Sequence, residues 1–231
     1  MLDLEKIGET LRKGEPILVF DESDREGETD IFFSAKHVSN LSIRFLRKNG
    51  GGMIFIASDN LASTKLGLPF SHDIFESVGN ISDDFTVVRK MLEHTIPYDK
   101  KSSFSLFINH KDTFTGISDY DRALTSKSFA EIFEASVSLS ESEAQKKISD
   151  SFRIPGHVPV CIADKELVKA RKGHTELIVS LLKLLSMNPV AVGCEMVGDD
   201  GNSLSPEKAK AWASEEGYLF LEGQSIVEAY L

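Results

Sequence analysis

Apolar residues recur at helical spacing in "LEKIGETLRKG", which a glycine closes, and the next stretch, "PILVF", is an apolar run of strand length. The same alternation of patterns continues along the chain. "IFFSA" and "MIFIAS" predict the second and third strands, with "VSNLSIRFLRKNGGG" between them as a helix closed by glycines. Residues 61–102 are weakly patterned and rich in Ser, Asp and Gly, which predicts loops and short helices. "SSFSLFINH" alternates as a strand does, and "SKSFAEIFEA" has helical spacing. The Ser-rich stretch at 136–152 contains "SESEAQKKI", a short helix capped by Ser140 with Glu143 three residues on. "HVPVCIA" and "PVAVGCEMV" read as strands flanking the apolar helix "TELIVSLLKLLSM". "SPEKAKAWASEEG" carries a serine cap, a first-turn proline and an exit glycine. Strands interleaved with helices at uneven spacing predict a single α/β (α+β) domain over 1–231, with a mixed β-sheet flanked by helices.

The 231 residues, 41% of them apolar, are enough for a substantial core. A formal charge of -10 argues against nonspecific nucleic-acid or anionic-membrane binding, both of which need a basic face. No run approaches the roughly 18 continuous apolar residues of a membrane span. The amino terminus lacks the apolar centre of a signal peptide, so the expected location is cytoplasmic. Cys161 and Cys194 sit in apolar runs without CxxC spacing, which predicts buried thiols with no redox role.

Charge concentrates in "FDESDREGETD", where Asp21, Glu22, Asp24, Glu26, Glu28 and Asp30 are answered by Arg25 alone. On an extended backbone Glu22, Asp24, Glu26, Glu28 and Asp30 share one face, a row suited to a hard cation such as magnesium. A solvated acidic loop is the other reading. An EF-hand does not fit, because its terminal glutamate position holds Phe33. In "RKGHTELIVSLLKLL", Arg171, Lys172, Gly173 and Thr175 precede a helix whose free N–H groups suit a phosphate. Thr175 is also placed to cap that helix, and His174 adds a metal-ligand side chain in the same turn. His157 lies between Pro155 and Pro159, and Glu195 ends an apolar strand where burial would raise its pKa and suit it to acid–base work. Taken singly, each has a bland reading as a structural histidine or an edge carboxylate. "DTFTGISDYDRALT" is a polar turn before a helix.

In this order, "DESDREGETD", "TFTGISDYDRALT", "RIPGHVPV", "RKGHTE" and "CEMVGDDG" resemble the motifs of the 3,4-dihydroxy-2-butanone 4-phosphate synthases of riboflavin biosynthesis, in a monofunctional, archaeal-like form. The likeness runs from the first strand to "YLFLEG". It implies that family's fold and a lyase reaction: D-ribulose 5-phosphate gives L-3,4-dihydroxy-2-butanone 4-phosphate and formate through enolisation, dehydration, skeletal rearrangement and excision of C4. It implies magnesium or manganese, two ions per site, with no organic cofactor. Glu26 and His174 are then metal ligands. Arg25, Asp30, Asp21, Thr115 and the turn Arg171, Lys172, Gly173, His174 and Thr175 bind the substrate, and His157, Glu195 and Glu28 are catalytic. A homodimer with sites at the interface is expected, without nucleic-acid or membrane partners. The acidic stretch is expected to order on binding metal and sugar.

Three features depart from the pattern. Phe55 in "GMIF" stands where the family commonly has cysteine, so no thiol acts there. Gly27 and Thr29 replace the usual Asn and Gly, and the spacer before "RIPGH" is long. Two rival functions remain on the sequence: an ATP- or RNA-related module resembling the carbamoyl-AMP-forming synthases of tRNA modification, which would want a basic face, and a nonenzymatic cation-binding protein, which would need neither "PGH" nor "GHTE".

Overall fold

Among the described residues, seven strands form one mixed sheet in the order β4-β5-β3-β6-β2-β1-β7. They are β1 (Ile17–Phe20), β2 (Thr29–Ser34), β3 (Phe55–Ser58), β4 (Phe104–His110), β5 (Phe152–Ile162), β6 (Val190–Glu195) and β7 (Leu219–Glu222). The structure is a computed structural model describing residues 2–94, 96–99 and 101–231; Thr95 and Lys100, inside the weakly patterned segment, lie outside the described residues. β1 and β7 are parallel, as are β3 and β5, while the β1–β2, β2–β6, β3–β6 and β4–β5 pairs are antiparallel.

Period-two alternation divides the core between the two faces. Leu18, Ile31, Phe33, Ile56, Val160 and Val192 face one side, against α2 (Asn40–Asn49), α6 (Asp119–Ser136), α7 (Glu141–Ser151) and α9 (Pro206–Glu216). Ile17, Val19, Phe32, Ala57 and Ala191 face the other, against α1 (Leu4–Arg12), α8 (His174–Leu184) and α10 (Gly223–Tyr230). Covered on both faces, β6 is buried from Val190 to Cys194, which accounts for its unbroken apolar run.

The weakly patterned segment forms α3 (Leu61–Thr64), α4 (Ser71–Gly79) and α5 (Thr86–Met91) with short turns. Ser140 and Glu143 make the reciprocal capping box expected for α7, and Ser205 caps α9 ahead of Pro206. The helix expected over 126–135 is longer, starting at Asp119 behind the Ser118 cap. β5 likewise starts at Phe152, five residues before the apolar run, because its first half pairs along β4 with solvent-facing side chains. β7 and α10 carried no sequence assignment; β7 has only four residues, and its role as the strand beside β1 is set by tertiary pairing. Cys161 and Cys194 are free, buried thiols, each pushed up to about 12 by burial.

Candidate active site

Three strand ends and one helix start converge at one end of the sheet. Asp30, the second residue of β2, lies directly opposite Glu195, the last residue of β6, while Phe55 opens β3 opposite Gly193. His174 and Thr175 begin α8 on the face holding Phe32. Between these elements lies a cleft of about 400 Å³, lined by Arg25, Glu26, Glu28, Asp30, Arg171, His174, Thr175 and Glu195 among the sequence candidates.

The acidic stretch is not extended, and its carboxylates do not form a single row. Residues 23–26 turn, and the Asp21 amide donates to the Glu28 carbonyl at 3.2 Å, closing the connection from β1 to β2. Asp21 points inward. Its carboxylate accepts from the amides of Glu26 at 3.1 Å and Glu28 at 3.0 Å and from Arg25 Nη1 at 3.3 Å. Glu22 turns to Lys172 Nζ at 3.2 Å, and Asp24 is exposed. Glu26, Glu28 and Asp30 are left on the cleft, where Ser203 Oγ donates to Glu28 Oε1 at 2.5 Å.

His174 Nδ1 lies 3.2 Å from Glu26 Oε2, and its Nε2 lies 3.2 Å from the Glu28 carbonyl and 3.7 Å from Asp30 Oδ1. These neighbours are acceptors, so a ring protonated on both nitrogens satisfies them. Burial opposes that charge, but Asp30, Glu26 and Asp21 outweigh it and raise the pKa to about 9. Glu26 shows the converse: burial would raise its pKa, but the His174 hydrogen bond and the Arg25 charge hold it at about 2. Burial pushes Asp30 well above the usual carboxylate range, with His174 opposing and Glu195 adding to the rise. Glu195 is likewise raised by burial, against the Met53 amide that donates to its Oε2 at 2.7 Å.

At the α8 start, Gly173 is the N-cap and Thr175 does not cap; its hydroxyl lies 3.4 Å from Ser103 Oγ. Arg171 reaches inward, with Nη1 donating to Glu176 Oε2 at 2.6 Å and Nε to Asp99. Asp99 also accepts from Arg25 Nη2 at 3.4 Å, and the Arg25 guanidinium stands 5.4 Å from the centre of the Tyr98 ring. Phe55 lines the cleft and packs edge-on against Phe32.

The fold does not bring His157 and Thr115 to this cleft. They lie on β5 and the β4–α6 turn, joined through Asn109, which donates to the Thr115 carbonyl at 3.3 Å and lies 3.0 Å from His157 Nδ1. Gly156 is required there: a Cβ would meet the Ile108 carbonyl carbon of β4 at 2.0 Å. Asp21 and Lys172 also lie off the cleft lining, one buried beneath it and the other exposed beside it.

Sequence reading missed Tyr98, Asp99, Ser103, Asn109, Glu176 and Ser203. The first three sit in or beside the unpatterned 61–102 stretch. Glu176 stood within the "GHTE" motif, where a carboxylate following a basic turn was the available signal.

The family model of 3,4-dihydroxy-2-butanone 4-phosphate synthase matches residues 5–229. The chain belongs to that family. The synthase of Methanosarcina mazei is 44% identical over 225 residues, covering 96% of this chain and 89% of the relative. That of Archaeoglobus fulgidus is 42% identical over 234 residues, covering 100% and 94%. Among solved structures, a 3,4-dihydroxy-2-butanone 4-phosphate synthase in complex with two magnesium ions superposes with a TM-score of 0.72 at 24% identity, covering 98% of this chain and 95% of that one. That likeness bears on the fold of this 3,4-dihydroxy-2-butanone 4-phosphate synthase family member, whose mixed sheet and flanking helices it shares.

Proposed function

We propose that the chain converts D-ribulose 5-phosphate into L-3,4-dihydroxy-2-butanone 4-phosphate and formate, as the lyase of riboflavin biosynthesis. The observation that carries this reading is the convergence, in one cleft, of Glu26, Glu28, Asp30 and Glu195 with His174 and the arginines at the start of α8. A sugar phosphate needs such a division: an anion-binding end, and acid–base groups along the carbon chain. Arg171, Arg25 and the free amides of the first α8 turn suit the phosphate. Glu195 and Asp30, with carboxyls raised by burial, suit the holding and passing of protons between neighbouring carbons. Substrate and the two products balance in atoms and oxidation level, so no organic cofactor is required.

The residues also fit a divalent cation. Asp21, Glu26 and His174 each offer a ligand atom within 4.8 Å of the others. Asp30 Oδ1 is buried with no hydrogen-bond partner among the described residues. This oxygen-rich donor set suits magnesium or manganese, and two ions per site follow the structural relative. Bound there, the cation supplies positive charge against the negative charge that develops on the sugar oxygens. Glu26 and His174 are the ligands on this reading, and Asp21 serves the loop as well, through the amides it already holds.

His157 and Thr115 join the reading through a homodimer whose sites are shared. Their surface carries the apolar side chains Phe114, 94% exposed, and Ile117, Tyr120 and Ile154, which a second copy would cover. No helix among the described residues is long and apolar enough to cross a membrane. Incubation with ribulose 5-phosphate and magnesium should release formate, EDTA should stop it and added magnesium restore it. Undiminished formate release in chelator would remove the metal, and no release under any divalent ion would remove the reaction.

A further inference from the structure

Glu28 is held on the cleft differently from the carboxylates around it. Its backbone is fixed within the β1–β2 connection: the amide donates to Asp21 Oδ1 at 3.0 Å, and the carbonyl accepts from the Asp21 amide at 3.2 Å and lies 3.2 Å from His174 Nε2. Its side chain has no such frame there. The nearby cations are committed elsewhere, Arg25 to Asp21, Glu26 and Asp99, and His174 to Glu26 and Asp30. Glu26, Asp30 and Glu195 share the cleft, so like charge pushes the Glu28 carboxylate towards solvent. Among the described residues, one hydrogen-bond donor reaches that carboxylate: Ser203 Oγ, 2.5 Å from Oε1.

Ser203 comes from far along the chain, on the short hairpin that follows β6. That hairpin is tied on both sides. The Met196 amide donates to the Thr29 carbonyl at 2.9 Å, and the Val197 amide to the Gly50 carbonyl at 2.8 Å. Across its own turn the Gly198 amide donates to the Asn202 carbonyl at 2.7 Å and the Leu204 amide to the Met196 carbonyl at 2.8 Å, while Val197 and Ser203 form an antiparallel bridge. Ser203 thus has a fixed place, although it is exposed and does not line the cleft. We infer that Ser203 is a positioning residue for the reaction: its hydroxyl anchors Oε1 of Glu28 from behind and leaves Oε2 as the oxygen that meets the substrate. The inference rests on the sugar-phosphate reading above, with Glu28 among the acid–base groups, and deepens it by naming what fixes that group. A glutamate has three side-chain torsions to restrain, and a carboxylate misplaced by about 1 Å can cost up to about a hundredfold in rate. Because Ser203 touches Glu28 and not the cleft, its loss should act on kcat and leave KM.

Steady-state formate release and crystal structures test this together. Ser203→Ala should lower kcat about tenfold, the scale of one hydrogen bond to a charged group, and leave KM within about twofold. Ser203→Thr keeps the hydroxyl on a bridge position that accepts a β-branched side chain, and should restore kcat to within about twofold of the parent. Thermal melts establish that both variants are folded. Metal-free crystals of the parent should show Glu28 Oε1 on Ser203 Oγ, and those of Ser203→Ala should show the carboxylate displaced or spread over several rotamers. The inference is overturned if folded Ser203→Ala keeps the parent kcat, if its loss appears in KM alone, if Ser203→Thr is as slow as Ser203→Ala, or if Glu28 keeps its place without the hydroxyl. A parent that released no formate under any divalent ion would lose the reaction, and the crystals would still decide whether Ser203 holds Glu28.

Discussion

His174 and Glu26 stabilise one another as ions, and the directions of their shifts locate the effect on the pH axis. His174 is raised from its ordinary 6.5 to about 9, so its contribution is fully present below about pH 6.5 and is lost as pH rises through 9. Glu26 is lowered from 4.5 to about 2, so its contribution is present above pH 4.5 and is lost as pH falls through 2. The pair therefore supports the metal-free fold most between about pH 4.5 and 6.5. In chelator, melting temperature should decline between pH 6.5 and 9, and His174→Asn should flatten that decline. An alkaline decline unchanged in the variant would mean that other groups cause it. At this scale the sequence marked Glu26, His174 and Glu195, each in a recognisable motif, and the fold brings all three to one cleft. The sequence did not show that Asp21 turns inward as the loop's internal acceptor, since a turn at 23–26 breaks the period-two reading.

The element that carries the proposed phosphate site is the start of α8, where Gly173 is the N-cap with ordinary backbone angles, φ -78° and ψ 165°. Alanine can adopt that backbone. Its methyl group would instead displace the two guanidinium ends lying 2.2 and 2.8 Å from the Cβ position. Gly173→Ala should thus lower stability by more than the roughly 1 kcal/mol of a changed cap, because moving Arg171 disturbs its pair with the buried Glu176. The KM for ribulose 5-phosphate should rise about tenfold, as expected when charged hydrogen bonds are misplaced. A melt and steady-state kinetics check both; an unchanged KM would show that the arginines do not meet substrate here. Most elements were legible from apolar periodicity and caps, as α7 and α9 illustrate. β7 and the first half of β5 were not, because one is four residues long and the other carries exposed side chains whose strand state depends on pairing with a neighbour.

At the scale of the whole molecule, the position of His157 decides a test of assembly. The cleft is not lined by His157, whereas Cys161, four residues further along β5, does line it. If a second copy donates His157, mixing two inactive variants restores some sites. Refolding Glu26→Ala and His157→Ala chains together gives about half mixed dimers under random pairing, and one of the two sites in each is free of both lesions. Activity should recover to about a quarter of the parent level. Mixed dimers confirmed by mass but without activity would place both residues in the same site of one chain.

The sequence by itself determined the alternation of strands and helices, the motifs that mark the family, and the residue types available for metal and phosphate. These are local properties: periodicity, capping and short spacing operate within a few residues along the chain. Only the tertiary structure decided that Asp30 faces Glu195 across β2 and β6, that Arg25 and Arg171 meet at Gly173, and that Asp99 lies between them. Those contacts join residues far apart in sequence, and the sheet register and helix packing that create them are collective, set by burying both faces of the sheet at once.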